Sequence, residues 1–259
     1  MKTQFLLSTL LATSMLLMES CHKLSGEGPQ ATETRDTGPF TGIESDLSGS
    51  VELYPGTPFS VTISAQQNIL DVLETRVTAG TLHLYLKHNV KLAAHQPIRI
   101  LIHVPEITAV AVNGSGTVKI MDTLTTASLA LSVAGSGNLY TDTLTVTDRL
   151  SVTLSGSGSV SMPYLKATAG NFTLGGSGKI SSAAGSLGDL DIAISGSGAV
   201  ELSDVISRNA VVRASGSGET RIGDAQTLDV HLSGSGNVYY SGTPEVTTQI
   251  SGSGKIKHL

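Results

Sequence analysis

Apolar and polar residues alternate along most of this chain, and the alternation repeats about every 20 residues. Each repeat places apolar residues four and two positions before the tripeptide Gly-Ser-Gly, and another four positions after its first glycine. The residues between them are mostly small or polar, so one side of each segment is apolar. This period-2 pattern on both sides of a glycine turn predicts a strand, a turn and a second strand.

The Gly-Ser-Gly tripeptide occurs eight times, and the distance between successive copies falls from 21 residues to 18. A period that steady indicates one structural unit copied along an axis. Glycine suits both corner positions, since a sharp corner needs a positive φ and neighbouring backbones approach closely there. We therefore predict structural roles for the corner glycines Gly114, Gly116, Gly135, Gly137, Gly156, Gly158, Gly176, Gly178, Gly196, Gly198, Gly216, Gly218, Gly234, Gly236, Gly252 and Gly254.

One repeat cannot bury its apolar face alone, because ordering about 20 residues costs more backbone entropy than a few inward side chains return on burial. The units must therefore stack and share a core. The sequence predicts an all-β fold, a single-stranded parallel β-helix with coils of about 18–21 residues that are regular from about residue 107.

Residues 40–105 are less regular, and the terminal units of a solenoid are expected to differ from the others because they cover its core. We predict wider coils here that include an N-terminal cap. Leu47 to Leu53 resembles a first corner that lacks the second glycine, and Gly80-Thr81 is a predicted turn between two alternating runs.

The first residues predict export and anchoring. Met1 to Ser20 has the basic start and apolar run of a secretory signal peptide. The only cysteine, Cys21, follows at once, and Met18 to Cys21 resembles a bacterial lipobox, whose cysteine carries the lipid; a free thiol or an intermolecular bridge is the alternative. Residues 21–38 are polar and rich in Gly and Thr, so we expect a flexible tether. Residues 39–259 form one β-helix domain.

The phased repeat is preceded by Phe40-Thr41-Gly42-Ile43 and by an alternating run from Ile98 to Pro105. In these features the chain resembles the putative auto-transporter adhesin, head GIN domain family, over about residues 38 to 259. The resemblance implies a right-handed β-helix and a lipoprotein of the kind found largely in Bacteroidetes-type bacteria. It implies no catalytic residues.

Composition narrows the function classes. A net charge of −5, spread along the chain, and the absence of tryptophan are unlike a nucleic-acid surface. The corner serines share no base or orienting acid, and apolar residues stand where calcium β-rolls carry carboxylates. Four histidines of the N-terminal region also lack the short, fixed spacing of a zinc motif: His83, His88, His95 and His103. We therefore expect no metal, and we also expect no cofactor and no nucleic-acid partner.

One charged cluster needs separate consideration. Asp229 and His231 share a strand face, Arg213 takes the position of His231 one coil earlier, and Asp191 lies one coil before that, offset by one pair. Some β-helix enzymes that cleave acidic polysaccharides carry acids and bases on such a face. We interpret the cluster as a solvated charged face.

The sequence thus predicts a non-catalytic lipoprotein of the bacterial cell envelope, anchored in the outer membrane through Cys21. Its role is expected to be structural or adhesive, toward a surface glycan or a protein. Two alternatives stay open. One is a polysaccharide-acting enzyme on the same scaffold, and the other is a periplasmic protein that docks a partner through its flat side or its open C-terminal edge.

Overall fold

The structure, a computed structural model, describes residues 22–259, and nearly all of its regular elements are strands. The N-terminal part comprises β1 (His22–Leu24), β2 (Gln30–Thr34), β3 (Gly42–Ser45), β4 (Ser50–Pro55), β5 (Ser60–Gln66), α1 (Gln67–Leu70), β6 (Leu73–Thr78), β7 (Thr81–Leu86), β8 (Val90–Leu92) and β9 (Arg99–Val104).

The repeats supply the remaining strands. They are β10 (Ala109–Val112), β11 (Thr117–Gly135), β12 (Asn138–Gly156), β13 (Ser159–Met162), β14 (Tyr164–Gly176), β15 (Lys179–Ser182), β16 (Gly185–Gly196), β17 (Ala199–Leu202), β18 (Val205–Gly216), β19 (Glu219–Ile222), β20 (Ala225–Gly234), β21 (Asn237–Tyr240), β22 (Glu245–Gly252) and β23 (Lys255–His258).

Each repeat is one coil of a parallel β-solenoid of about 8 turns. A coil has a short strand after its corner, a turn, and a longer strand that bends before the next corner; in β16 the register with β18 skips Gly188 at this bend. Residues at the same position of the repeat pair in successive coils, so Gly176 stands opposite Gly196, and Gly196 stands opposite Gly216. The predicted parallel β-helix is confirmed, with coils of the predicted length.

The apolar positions predicted from the repeat form the core. Ile192, Val212 and Val230 stack in register four positions before their corners, and each is 0% exposed. Alternate residues point outward, which explains the period of two in the sequence. The rows are not wholly apolar, because Thr220 is buried between Val200 and Val238 in the row that follows the corners.

The N-terminal part is a cap with its own order of strands. The coil formed by β3 and β4 lies between β7 and β9 on one side and β10 and β11 on the other, so residues later in the chain cover both of its edges. β5 joins β9 in antiparallel pairing, and β6 and β7 form an antiparallel hairpin. The predicted turn lies at Ala79-Gly80, where both residues have positive φ, and Thr81 already begins β7.

Two expectations for this region are corrected. Residues 22–34 are not a free tether, because β1 pairs with β8 and β2 pairs with β5. β8 and β5 bind these segments through backbone hydrogen bonds, and such pairing does not require apolar side chains. The degenerate corner at Leu47 to Leu53 lacks its first glycine and not its second: Val51 pairs with Val118, which places Gly49 opposite Gly116 and Leu47 opposite Gly114.

Candidate functional site

The stacked Gly-Ser-Gly corners form a continuous line of backbone hydrogen bonds, which we call the corner ladder. The carbonyl oxygen of Gly176 accepts from the N–H of Ser197 at 2.9 Å and from that of Gly198 at 3.0 Å. The carbonyl oxygen of Gly178 accepts from Ala199 at 3.0 Å. The same arrangement recurs between most successive coils, so the corners lock the stack through main-chain atoms alone.

Close approach of neighbouring coils excludes a side chain at both Gly196 and Gly198, because a Cβ on Gly196 would overlap the carbonyl oxygen of Gly176. A positive φ is found at only one of the two, which corrects that part of the explanation predicted from sequence. Gly196 has a φ of 146°, a conformation that side chains rarely adopt. Gly198 does not have a positive φ. A Cβ on Gly198 would overlap the carbonyl oxygen of Gly178 and lie 2.8 Å from Cδ2 of Leu174, so close approach of the coils excludes a side chain there.

The serine between these glycines faces solvent. Ser197 is exposed, and its hydroxyl makes no hydrogen bond within residues 22–259. Neighbouring corner serines repeat this environment at the coil spacing. The row therefore offers hydroxyls to a ligand but provides no base that could activate one of them.

The charged cluster on the outer face is assembled as the spacing predicts. Arg213 pairs in register with His231, and its Nη1 lies 2.7 Å from Oδ2 of Asp191. His231 Nε2 lies 3.1 Å from Asp229 Oδ2, while Nδ1 lies 3.2 Å from Oε1 of Gln249. Arg213 thus stands beside Asp191, and His231 stands beside Asp229, so each basic side chain has its own carboxylate.

A shallow groove of about 680 Å³ runs along this face. Arg213, His231 and Gln249 line it together with the serines that precede each corner, and Ala193 and Ala214 provide apolar floor. The paired side chains are between a third and a little over a half exposed, so water screens their attraction and each pair adds little to stability. The groove offers polar side chains to a ligand, and its two basic residues are each hydrogen-bonded to a carboxylate beside it.

Other predicted site residues are not brought together with this groove. His83 lies 3.2 Å from Glu44, and His103 stacks on Tyr54, both near the cap. No group of three or more His, Cys, Asp or Glu in the described part of the chain is placed to hold a metal. Cys21 and the signal segment 1–20 lie outside the described residues.

The C-terminal end of the solenoid is open in residues 22–259. β22 and β23 each pair with one neighbour only, and every residue of β22 is exposed. Ile250 continues the inward row of Leu232 yet is 47% exposed, and Val246 is 37% exposed. No helix in this range is long and apolar enough to cross a bilayer.

The stacked coils, glycine corners and exposed polar faces define the class as a parallel β-solenoid built from a repeated glycine-corner unit. The chain belongs to the putative auto-transporter adhesin, head GIN domain family, whose sequence profile matches residues 39–244. The family that the repeat resembles is therefore confirmed. No curated protein matches the chain.

Solved structures agree with this assignment. A putative lipid binding protein from Parabacteroides distasonis superposes with a TM-score of 0.84 at 25% identity, covering 92% of this chain and all of its own. A putative adhesin from the same species gives a TM-score of 0.85 at 20% identity with the same coverage. A putative adhesin from Bacteroides fragilis gives 0.70 at 21% identity, covering 91% of this chain and all of its own.

Proposed function

We propose that the protein is a lipid-anchored component of a bacterial cell envelope that binds a surface glycan or protein and performs no chemistry of its own. Family membership supports an adhesive role, because relatives in this family and fold are named as adhesins. The lipobox-like Cys21 supports the anchor and a place in the outer membrane.

The observation that carries the non-catalytic role is the pairing within the outer charged cluster. A general acid and a general base require two groups of different proton affinity facing one reacting bond. Here Arg213 occupies Asp191, and Asp229 occupies His231, and all four side chains lie along an open face. These side chains are solvated and tied to one another, and they do not present a separate acid and base to one bond, which supports a role without catalysis.

A comparison of cells tests this proposal. A strain that lacks the protein should attach several-fold less to immobilised envelope glycans or host matrix proteins than the same strain carrying the wild-type chain. Complementation with Cys21→Ala should not restore attachment, because the protein leaves the surface. Unchanged attachment without the protein, or release of reducing sugar by the purified protein from any glycan that it binds, would contradict the proposal.

The open C-terminal coil favours a second candidate, docking of a partner protein within the envelope. Its unpaired strand edges and exposed Val246 and Ile250 are features that another chain can cover. Cross-linking in cells from a cysteine placed at Thr247 would detect such a partner, and Arg149→Cys on the exposed side of β12 is the matched control.

A further inference from the structure

A second and larger cleft, of about 1030 Å³, lies beside the cap. Its floor is the outer face of four neighbouring strands, in the order β9, β4, β11 and β12. The segment from His95 to Ile98 forms one wall, and the residues that face the cleft include Arg99, Lys119 and Tyr140. The roles described above for the charged cluster and the corner ladder do not assign a function to this cleft.

The wall is fixed by hydrogen bonds. The N–H of Gln96 donates to Oε1 of Gln66 at 2.9 Å, and Gln66 is only 4% exposed. Gln30 Nε2 donates to the carbonyl oxygen of Pro97 at 2.7 Å. The N–H of Ala93 donates to the carbonyl oxygen of Leu24 at 2.8 Å. The N-terminal strands, expected to be a tether, thus help to fix this wall of the cleft.

The cleft carries charges of both signs. Its acids accept hydrogen bonds from neutral donors: Glu52 accepts from the hydroxyl of Tyr54 at 3.4 Å, and Asp142 accepts from the N–H of Asp122 at 2.9 Å. Glu52 also stands in register beside Lys119 on the neighbouring strand. Burial and then the charge of Glu52 raise the pKa of Tyr54, which keeps that hydroxyl protonated. Arg99 and Lys119 form no ion pair with any residue in the range 22–259.

Arg99, Lys119 and an aromatic ring follow one another along the solenoid, and we call their path across the cleft floor the line. Arg99 and Lys119 are two strands and two residues apart, roughly 12 Å from strand spacing and rise. Tyr140 pairs with Lys119 in register and is 39% exposed. A long ligand on this line meets a cation, a second cation and then an apolar ring face.

The side chains along this line favour a glycan over a peptide as the ligand. An extended peptide gains its affinity by pairing with the edge of a sheet, and the cleft floor presents outward side chains instead. Sugar hydroxyls both donate and accept, so they can bond to side chains such as Ser50 and Thr117 on the floor. A tyrosine ring offers a rigid apolar face with a polar tip to a sugar ring.

We propose that this cleft binds an acidic polysaccharide whose sugars carry carboxylates. Arg99 and Lys119 bind carboxylates of two sugars along the chain, and Tyr140 packs against a sugar ring. The inference rests on the proposed function, because it names the ligand class of a non-catalytic surface protein.

Calorimetric titration of the purified protein with hexagalacturonic acid at low salt tests the inference. We expect saturable binding that weakens as salt is added. Arg99→Gln with Lys119→Gln should lower the affinity by about tenfold or more. Tyr140→Ala should weaken binding also, whereas Arg149→Gln, an exposed arginine outside the cleft, should leave it unchanged. Thermal melts should show that all variants fold.

Four results would overturn the inference: no binding of hexagalacturonic acid, binding that the double variant retains, equal binding of neutral maltohexaose, or equal binding of hexaglutamate that the double variant loses. The same experiments distinguish failure of this inference from failure of the proposed function. If cells still depend on the protein for attachment while the uronate does not bind, only the ligand class is wrong. If the uronate binds and reducing ends appear, the cleft stands and the non-catalytic role is wrong.

Discussion

The N–H of Gly198 donates a 3.0 Å hydrogen bond to the carbonyl oxygen of Gly176, one coil earlier. A side chain on Gly198 would have to enter the space between these coils, where it overlaps the carbonyl oxygen of Gly178. Gly198→Val should therefore lower the free energy of unfolding by a few kcal/mol, as expected for overpacking against backbone. Chemical denaturation measures the change.

Two further variants make this prediction specific to stacking. Gly254→Val meets the carbonyl oxygen of Gly236 in the same way, but in residues 22–259 no coil lies beyond it, so the last coil can move and the loss should be smaller. Ser197→Ala should cost under about 1 kcal/mol, because its exposed hydroxyl makes no hydrogen bond to any of the described residues. A Ser197→Ala variant less stable than Gly198→Val would contradict the corner ladder.

Two residues near the open end of the solenoid can be compared directly by substitution. Leu232 and Ile250 are in register on neighbouring coils, but Leu232 is 3% exposed and Ile250 is 47% exposed. Leu232→Ala should cost about 2–5 kcal/mol, whereas Ile250→Ala should cost less than about 1 kcal/mol. Denaturation at several protein concentrations is the measurement. Equal costs would show that another chain covers Ile250 in solution.

A polar residue within the core predicts a stabilising change. Thr220 is 1% exposed, its hydroxyl has no hydrogen-bond partner among the described residues, and valines stand on both sides of it in the row. Thr220→Val should raise the free energy of unfolding by about 1 kcal/mol, because an unsatisfied hydroxyl is removed. The same change at exposed Thr173 is the control and should alter stability by less than about 0.5 kcal/mol. A destabilised Thr220→Val protein would mean that the hydroxyl has a partner in solution.

The proposed lipid anchor would depend on the sulfur of Cys21. Cells that express Cys21→Ala should release the protein or accumulate its precursor, whereas the wild-type chain should incorporate labelled lipid and sediment with membranes. Cys21→Ser is the conservative control and should behave like alanine, since a hydroxyl does not replace the thiolate nucleophile. Lipid incorporation by either variant contradicts the lipoprotein assignment.

The charged cluster should be dispensable. Asp191→Ala, Asp229→Ala and His231→Ala together should change the unfolding free energy by less than about 2 kcal/mol, because the two pairs are partly exposed. Attachment of cells should be nearly unchanged. Loss of a cellular activity by a variant that folds normally would support the enzyme alternative in place of the one proposed here.

The repeat was predictable because its information is periodic. Eight aligned copies show which positions are inward, and rows such as Ile192, Val212 and Val230 follow directly. The cap was less predictable, since a single copy does not reveal which strand pairs with which. Nothing in the residues near Leu47 shows that β7 and β10 flank β3. The polar strand β2 was missed because none of its residues is buried and it is held by backbone pairing with β5.

The candidate sites also differ in how far the repeat alignment predicts their residues. The neighbours Asp229 and His231 were found from the alternation along one strand, and Arg213 from the repeat length. Lys119 and Tyr140 also stand at equal offsets from their corners, so the alignment contained that signal. Arg99 and the wall near His95 come from the cap, and only the cap's pairing brings them to the same cleft.

The strand order of the cap makes its contacts less local in sequence than those of the regular coils. The coil of β3 and β4 needs β7, β9, β10 and β11 to cover its edges, and its pairing with β11 extends to Ile120. Each regular coil instead pairs with the coil about 20 residues before it. Because contacts between residues far apart in sequence slow folding, we expect formation of the cap to limit the folding rate of the chain.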